Sequence, residues 1–140
     1  MAADFDIDAF LAQPLTARLA TNGPTVRPVW YLWEDQAFWI ITGPWSKLRD
    51  HVRVDPALAI TVDVCDLTTG LVRQVIARGC AELLPFDIPR GKRKLSRYLG
   101  PDETRWATRF QLHDDLAERD TVWLRLRPTS ITAADLSYQA

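Results

Sequence analysis

The chain has 140 residues, of which 47% are apolar and 25% are charged, a balance typical of a folded protein rather than of a disordered segment. Its 17 Lys and Arg residues oppose 18 Asp and Glu residues, and a net charge of −1 argues against the general basic field of a nucleic-acid-binding protein. We therefore expect one domain over residues 1–140, with no nucleic acid among its partners.

The first third of the chain has the pattern of a β-meander. A short helix is predicted over residues 6–12, followed by strands over residues 15–21, 25–34 and 37–42. The turns Asn22-Gly23-Pro24 and Glu34-Asp35-Gln36 are short, so these strands should be antiparallel neighbours. Pairing about the second turn would place Arg27 close to Thr42.

The remaining pattern completes a small barrel. A helix is predicted over residues 44–54, because Trp45, Leu48 and Val52 share one helical face. Strands are predicted over residues 57–64, 71–84 and 121–127, and Gly79 indicates a bulge or a close backbone approach in the long one. Short helices over residues 92–99 and 102–110 precede the last strand. The expected fold is mainly β with peripheral helices, a six-stranded antiparallel barrel.

The sequence offers few groups for chemistry by side chains. His51 and His113 lack metal-ligand spacing with a cysteine or another histidine, so no metal site is expected. No nucleotide-binding loop, nucleophile elbow or pair of carboxylates stands out, and no catalytic side chain is predicted. If the protein is an enzyme, a cofactor should carry the difficult chemistry.

The runs of charged residues and the two cysteines are not expected to form binding or catalytic sites. The cations of residues 90–97 and the acidic residues of segment 114–120 are interpreted as two solvated faces. Cys65 and Cys80 lie apart, outside any CxxC pair, and are expected to be reduced thiols. No secretory signal or bilayer-length apolar run is recognised, so we expect a cytoplasmic protein without a membrane partner.

One stretch, ITGPWSKLRDHVRVDP (residues 41–56), joins a strand to a basic helix through a corner rich in donors. Thr42 and Ser46 supply hydroxyls, Lys47 supplies charge, and a helix start supplies free N–H groups. Arg27 would add a bidentate fork suited to phosphate. The alternatives are an ordinary strand-to-helix turn and an exposed strand arginine.

Two longer strings carry a family resemblance. PVWYLWEDQAFWIITGPWSK and VRQVIARGCAELL, joined by the basic helix, Asp55-Pro56 and an alternating strand, resemble the pyridoxamine 5′-phosphate oxidase-like flavin-binding proteins. The resemblance covers about residues 11–84. It implies a split β-barrel of the flavin-binding type, a homodimer that binds FMN, or in some branches a deazaflavin (F-420), at its interface.

Carried over position by position, the resemblance implies contacts with both the phosphate and the ring of the flavin. Arg27, Thr42, Ser46 and Lys47 would hold the phosphate, while the backbone of residues 28–30 would run beside the ring. The full set of implied contacts is Arg27, Pro28, Val29, Trp30, Ile41, Thr42, Ser46, Lys47 and Gln74. Leu48 departs from the pattern, since the family carries a lysine there.

Three functions remain open at this stage. The first is an FMN-dependent oxidoreductase acting on a small-molecule substrate. The second is a deazaflavin-dependent reductase, with Arg49 and Arg53 as cations for a longer cofactor tail. The third is a non-catalytic module that carries flavin, haem or no cofactor, with His51 or His113 as the haem ligand. Trp33, Trp39 and Trp123 are expected to fill the barrel or a dimer contact, whereas Trp30 and Trp45 lie near the predicted pocket.

Overall fold

The structure, a computed structural model, describes residues 5–113, 115–116 and 119–140. The acidic residues 114 and 118, part of the expected acidic face, therefore lie outside the described residues. Its strands are β1 (Thr16–Thr21), β2 (Thr25–Trp30), β3 (Leu32–Glu34), β4 (Ala37–Thr42), β5 (Ala57–Asp66), β6 (Leu71–Pro85), β7 (Val122–Leu126) and β8 (Ser130–Asp135). Its helices are α1 (Ile7–Leu11), α2 (Leu48–Val54) and α3 (Ile88–Leu99). None of these described helices is long and apolar enough to cross a membrane.

The strands form one antiparallel sheet in the order β2-β1-β5-β6-β7-β4-β3, with β8 added on β6. The long strand β6 organises the sheet: its first part pairs with β5 and β8, and its last five residues pair with β7. The sheet curls into a half-barrel that carries the three helices outside it. Mainly antiparallel β structure with peripheral helices is thus confirmed, with eight strands in the described residues rather than the expected six.

The predicted strand over residues 25–34 is two strands, because Tyr31 leaves the ladder. The Tyr31 N–H donates to the Tyr98 hydroxyl at 3.1 Å, and the Tyr31 carbonyl accepts from Arg97 at 2.6 Å. With its backbone groups bonded to α3, Tyr31 marks the point where the chain moves from one part of the sheet to the other. The predicted ladder between Arg27 and Thr42 is therefore wrong: Arg27 pairs with Leu19, and Thr42 with Val122.

Helix boundaries also differ from those predicted. Helix α2 begins at Leu48, four residues later than expected, and Trp45 is 65% exposed outside it. Helix α3 begins earlier than expected because Asp87 caps it, accepting from the Arg90 N–H at 2.9 Å. The predicted helix over residues 102–110 is wrong, since two single 3₁₀ turns replace it, Glu103–Arg105 and Thr108–Phe110.

Alternating residues of the strands fill the barrel. Leu19, Ile60, Val75 and Leu124 are fully buried, each contributing about 1.5–3 kcal/mol of burial free energy. A second apolar cluster holds Trp39, Trp123 and Phe86, so the prediction that these two tryptophans pack inside is confirmed.

The expected close approach at Gly79 is also confirmed. A Cβ there would lie 2.9 Å from the Leu126 side chain and 3.2 Å from the Arg127 carbonyl oxygen.

The basic helix α3 is bound to the rest of the protein through its cations. Arg90 and Arg93 both donate to Glu34, and the hydrogen bond from Arg93 is the main cause that lowers the pKa of Glu34. Arg97 donates to four backbone carbonyls, those of Leu11, Ala12, Gln13 and Tyr31. The expectation of a solvated basic face is therefore wrong for most of this helix.

Candidate functional site

Arg27 and Ser46 meet at the corner between β4 and α2. The Arg27 Nη1 donates to Ser46 Oγ at 3.1 Å, and the Leu48 N–H donates to the same oxygen at 3.1 Å. The Ser46 hydroxyl accepts both bonds, so its own proton stays available to a ligand. The sequence predicted Arg27 at this corner through strand pairing with Thr42, which the structure does not contain. The Arg27 side chain instead extends from β2 to reach Ser46.

Two further polar atoms of this corner are buried without a partner. Within the described residues, neither Arg27 Nε nor Thr42 Oγ1 has a hydrogen-bond partner, although Thr42 is only 1% exposed. An unpaired buried polar group costs about 1–3 kcal/mol, so such atoms usually await a ligand or water. A guanidinium N–H and two hydroxyls form a donor set that matches phosphate oxygens, and the residues present fit the phosphate of a flavin nucleotide.

Lys47 and Leu48 have separate roles in this corner. Lys47 is exposed and stands at the N-cap of α2, directly after Ser46 in the chain. Leu48 is 2% exposed and packs in the barrel core. The missing family lysine is therefore replaced by a core side chain, and the corner depends on other cations.

Arg49 is the nearest such cation on α2. Its Nη1 donates to the Asp120 carbonyl at 3.1 Å, and its Nε is buried without a partner in the described structure. The Thr121 hydroxyl, also buried and unpartnered, is in the residue before Val122, the strand partner of Thr42. Arg49 was predicted from the sequence as a cation for a longer cofactor tail. Thr121 was not predicted, because only the pairing of β4 with β7 places it next to Thr42.

The residues expected beside a flavin ring lie on strands that are not neighbours in the sheet. Pro28, Val29 and Trp30 belong to β2, an end strand of the sheet that is paired only with β1 among the described strands. Backbone groups on its free edge can bond a ligand. Gln74 lies on β6, and β1 and β5 separate the two strands in the sheet order. One chain therefore does not bring Gln74 together with Arg27.

A cavity of about 820 Å³ opens beside the corner, within the size range of small-molecule sites. Trp30, Ile41, Pro44 and Trp45 line it on the corner side, which makes it continuous with the predicted cofactor contacts. The Trp30 ring stacks on Tyr98 at 4.5 Å between centroids, and on Phe110 at 5.4 Å. These contacts hold Trp30 as a fixed wall of the cavity.

Lys94 lines the far side of this cavity, which we call the Lys94 cavity. The residue is 5% exposed, and it forms no hydrogen bond or ion pair with any described residue. Burial, and to a smaller extent the charge of Arg97, together lower the pKa of Lys94 to about 7. Lys94 was not predicted from the sequence, because it lies in a run of cations that was expected to form a solvated face.

Metal and haem chemistry find little support in the geometry. Across residues 5–113, 115–116 and 119–140, no group of three or more His, Cys, Asp or Glu could hold a metal ion. The His51 Nδ1 lies 3.3 Å from the Thr21 hydroxyl, and neither His51 nor His113 lines the cavity that the described residues form.

Comparison with known proteins identifies the family. The sequence matches the family model described as pyridoxamine 5′-phosphate oxidase over residues 4–134. The chain belongs to this family. A search of curated proteins gives no match. The split β-barrel that the sequence resemblance implies is thus confirmed.

Solved structures with the same fold span nearly the whole chain. A conserved hypothetical protein from Mycobacterium tuberculosis superposes with a TM-score of 0.74 at 21% identity, covering 100% of this chain and 92% of its own. An F420 reductase superposes with a TM-score of 0.63 at 24% identity, covering 89% and 94%. A FAD-binding protein from Mesorhizobium loti superposes with a TM-score of 0.61 at 21% identity, covering 90% and 89%. At these identities, the neighbours establish the fold.

Proposed function

We propose that the protein binds FMN, with the phosphate held by Arg27, Thr42, Ser46 and Lys47, and that it is an FMN-dependent oxidoreductase acting on a small organic molecule. The observation that carries the proposal is the Arg27–Ser46 hydrogen bond beside two buried polar atoms, Arg27 Nε and Thr42 Oγ1, that have no partner among the described residues. Such a set is incomplete without an acceptor that takes several hydrogen bonds at once.

Each group of the corner has a distinct part in holding the phosphate. Arg27 supplies charge and a planar pair of donors, and its bond to Ser46 fixes the direction of the guanidinium. Thr42 and Ser46 donate hydroxyl protons, while Lys47 adds charge from the exposed side. Because the bond between Arg27 and Ser46 already orders these two side chains, they lose little conformational entropy when the anion binds.

A bound flavin supplies hydride transfer at its own ring, which accounts for the lack of an evident acid–base pair in the sequence. The protein then has to position the ring and keep water from it. The edge of β2 offers backbone groups at residues 28–30, and Ile41 adds apolar surface at the end of β4. The Lys94 cavity provides space for a substrate next to these residues.

We propose that the working form is a homodimer with the cofactor at its interface. The separation of Gln74 from Arg27 supports this, because a second copy would present its own β6 to the corner. Several large apolar side chains are also exposed and would gain from a partner surface. They are Val26, Val54, Leu67, Leu136 and Tyr138. Sedimentation of the FMN-loaded protein as a stable monomer would contradict the shared site.

A deazaflavin such as F-420 is the second candidate cofactor. The same corner would hold its phosphate, and its longer tail would extend toward Arg49 and Arg53 on α2. Arg53 has a side chain that is 58% exposed and is tied only by a 3.9 Å contact to Asp50 in the described structure, so it is accessible to such a tail. The F420 reductase among the structural neighbours supports this candidate.

Titration of the purified protein with FMN and, separately, with F-420 tests the proposal. Absorbance and fluorescence changes that saturate at one FMN per chain, with weaker binding of F-420, are expected. A clear preference for F-420 would replace the first candidate with the second. Failure of both to bind would contradict a flavin function and leave the corner as an ordinary turn.

A further inference from the structure

The charges around the Lys94 cavity are all of one sign among its described lining residues. Lys94, Arg109 and Arg119 contribute positive charges, and no carboxylate faces them from that lining. Arg119 is paired outside the cavity with Asp115 at 2.7 Å. Lys94 and Arg109 have no ion pair with any described residue.

Lys94 differs in this from the other cations of its helix. Arg90 and Arg93 bond Glu34, Lys92 lies 3.5 Å from Glu103, and Arg97 bonds backbone carbonyls. Among the cations of α3, only Lys94 is both buried and part of the cavity lining, where an amine without a partner is costly. If this position served packing alone, leucine or methionine would give a more stable protein than lysine.

The apolar part of the lining favours a flat ligand. Trp30, Phe86 and Phe110 present aromatic rings, and Leu95 and Leu112 present aliphatic surface. Aromatic walls bind planar rings well by offset stacking. The ring at Trp30 is held in place by Tyr98, so this wall is formed before any ligand enters.

We propose that the Lys94 cavity binds a flat, apolar organic anion whose acidic group is paired with the Lys94 ammonium. The cavity supplies the shape and the aromatic contacts, and Lys94 supplies the single buried counter-charge. A ligand of this class would give the Lys94 amine the partner that it lacks among the described residues.

The site does not depend on the flavin for its existence. That the anion is a substrate rests on the proposed function, because the cavity adjoins Trp30 and Ile41 beside the expected flavin ring. Binding of the anion to protein without flavin rests only on the cavity and on Lys94. The two claims can therefore fail separately.

The test uses 2-naphthoate as the probe and neutral 2-naphthalenemethanol as its uncharged counterpart, with tryptophan fluorescence or calorimetry as the readout. Lys94→Met should weaken naphthoate binding roughly tenfold or more and leave the alcohol unchanged. Lys92→Met, an exposed lysine on the same helix, is the matched control and should bind both probes like the wild type. Equal naphthoate affinity in wild type and Lys94→Met would overturn the proposal.

Proton uptake gives a second readout that needs no variant. Among the described residues, the charged groups around Lys94 are Arg97 on its own helix, and Arg109 and the Arg119–Asp115 ion pair on the segments that face the cavity. These cations outnumber the one carboxylate, so a bound anion should restore the Lys94 proton. Calorimetry at pH 8 in two buffers should show an uptake of roughly 0.9 proton per naphthoate, because a group with a pKa near 7 is mostly neutral there. Binding without proton uptake would contradict the pairing.

A final comparison separates this site from the flavin site. Naphthoate should still bind when the protein is saturated with FMN, and its displacement by FMN would overturn the placement beside the cofactor. If FMN does not bind but naphthoate binding requires Lys94, the proposed function fails while the anion site stands. If FMN binds but the naphthoate tests fail, the anion site alone is wrong.

Discussion

Arg27 and Ser46, 19 positions apart in the sequence, are joined by a 3.1 Å hydrogen bond that links the edge strand β2 to the turn before α2. Neither the strand ladder nor a helix start creates this pair. It comes from a long side chain that crosses from one segment to the other. The pair fixes the direction of the guanidinium, and thereby where an anion would bind.

Thr42→Val tests whether a buried hydroxyl is kept for a ligand at the cost of stability. Thr42 Oγ1 is buried and unpartnered within the described structure, so an isosteric valine should raise the free energy of unfolding by about 1 kcal/mol. The same variant should bind FMN roughly fivefold more weakly, since a donor to the phosphate is lost. Urea unfolding of the free protein and FMN titration measure the two effects.

Thr21→Val is the control for that experiment. Thr21 is similarly buried, at 6% exposed, but its hydroxyl contacts the Thr25 hydroxyl and His51 Nδ1. Its replacement should lower the free energy of unfolding and leave FMN binding unchanged. Loss of stability in Thr42→Val equal to that in Thr21→Val would show that Thr42 is already satisfied.

Arg97→Met tests whether α3 is held to the sheet by one guanidinium. The side chain donates to the Tyr31 and Gln13 carbonyls at 2.6 Å, to the Ala12 carbonyl at 3.0 Å and to the Leu11 carbonyl at 3.2 Å. Its loss leaves these acceptors short of a partner, and we expect the free energy of unfolding to fall by roughly 2–4 kcal/mol.

The comparison for this variant is Arg93→Met on the same helix. The Arg93 side chain is 51% exposed and its bridge to Glu34 is solvated, so the loss should stay below about 1 kcal/mol. Urea denaturation of both variants measures the difference. Equal losses would mean that the carbonyl cluster adds no more than a surface ion pair.

The buried amine of Lys94 should make the free energy of unfolding increase with pH above neutrality. Its pKa in the folded protein is about 7, below the ordinary 10.5 that it regains on unfolding, so the unfolded chain binds more protons between these values. The free energy of unfolding should therefore rise with pH above 7, by up to about 1.4 kcal/mol per pH unit. Below pH 7 both states are protonated, and this contribution becomes constant at its most destabilising value.

Denaturant unfolding of the wild type, Lys94→Met and Lys92→Met between pH 7 and 9.5 measures this effect. We expect the slope in the wild type and in Lys92→Met, and a flat profile and higher stability at pH 7 in Lys94→Met. Identical slopes in all three proteins would show that Lys94 is solvated.

The sequence predicted those parts of the molecule that depend on local pattern. The alternation in β5, the turn at Gly23 and the short helix predicted over residues 6–12 all correspond to elements that the structure contains. The family resemblance placed Arg27 and Ser46 in one site, and the structure brings them together. Both kinds of signal lie within short stretches of the chain.

Features set by distant contacts could not be predicted in the same way. The break at Tyr31 arises from hydrogen bonds to residues 66 and 67 positions later, Arg97 and Tyr98. Strand β8, whose alanine-rich sequence carries little strand signal, is held by its pairing with β6. Lys94 looked like its charged neighbours until the packing of α3 turned it into the cavity.

The most direct test of the phosphate corner compares FMN with riboflavin, which lacks the phosphate, in the wild type and in Arg27→Ala. Arg18→Ala, a strand arginine whose side chain is 55% exposed, is the control. We expect the wild type and the control to prefer FMN by roughly a hundredfold, and Arg27→Ala to lose most of this preference with little change in riboflavin affinity. An unchanged preference for FMN in Arg27→Ala would show that the phosphate is held elsewhere.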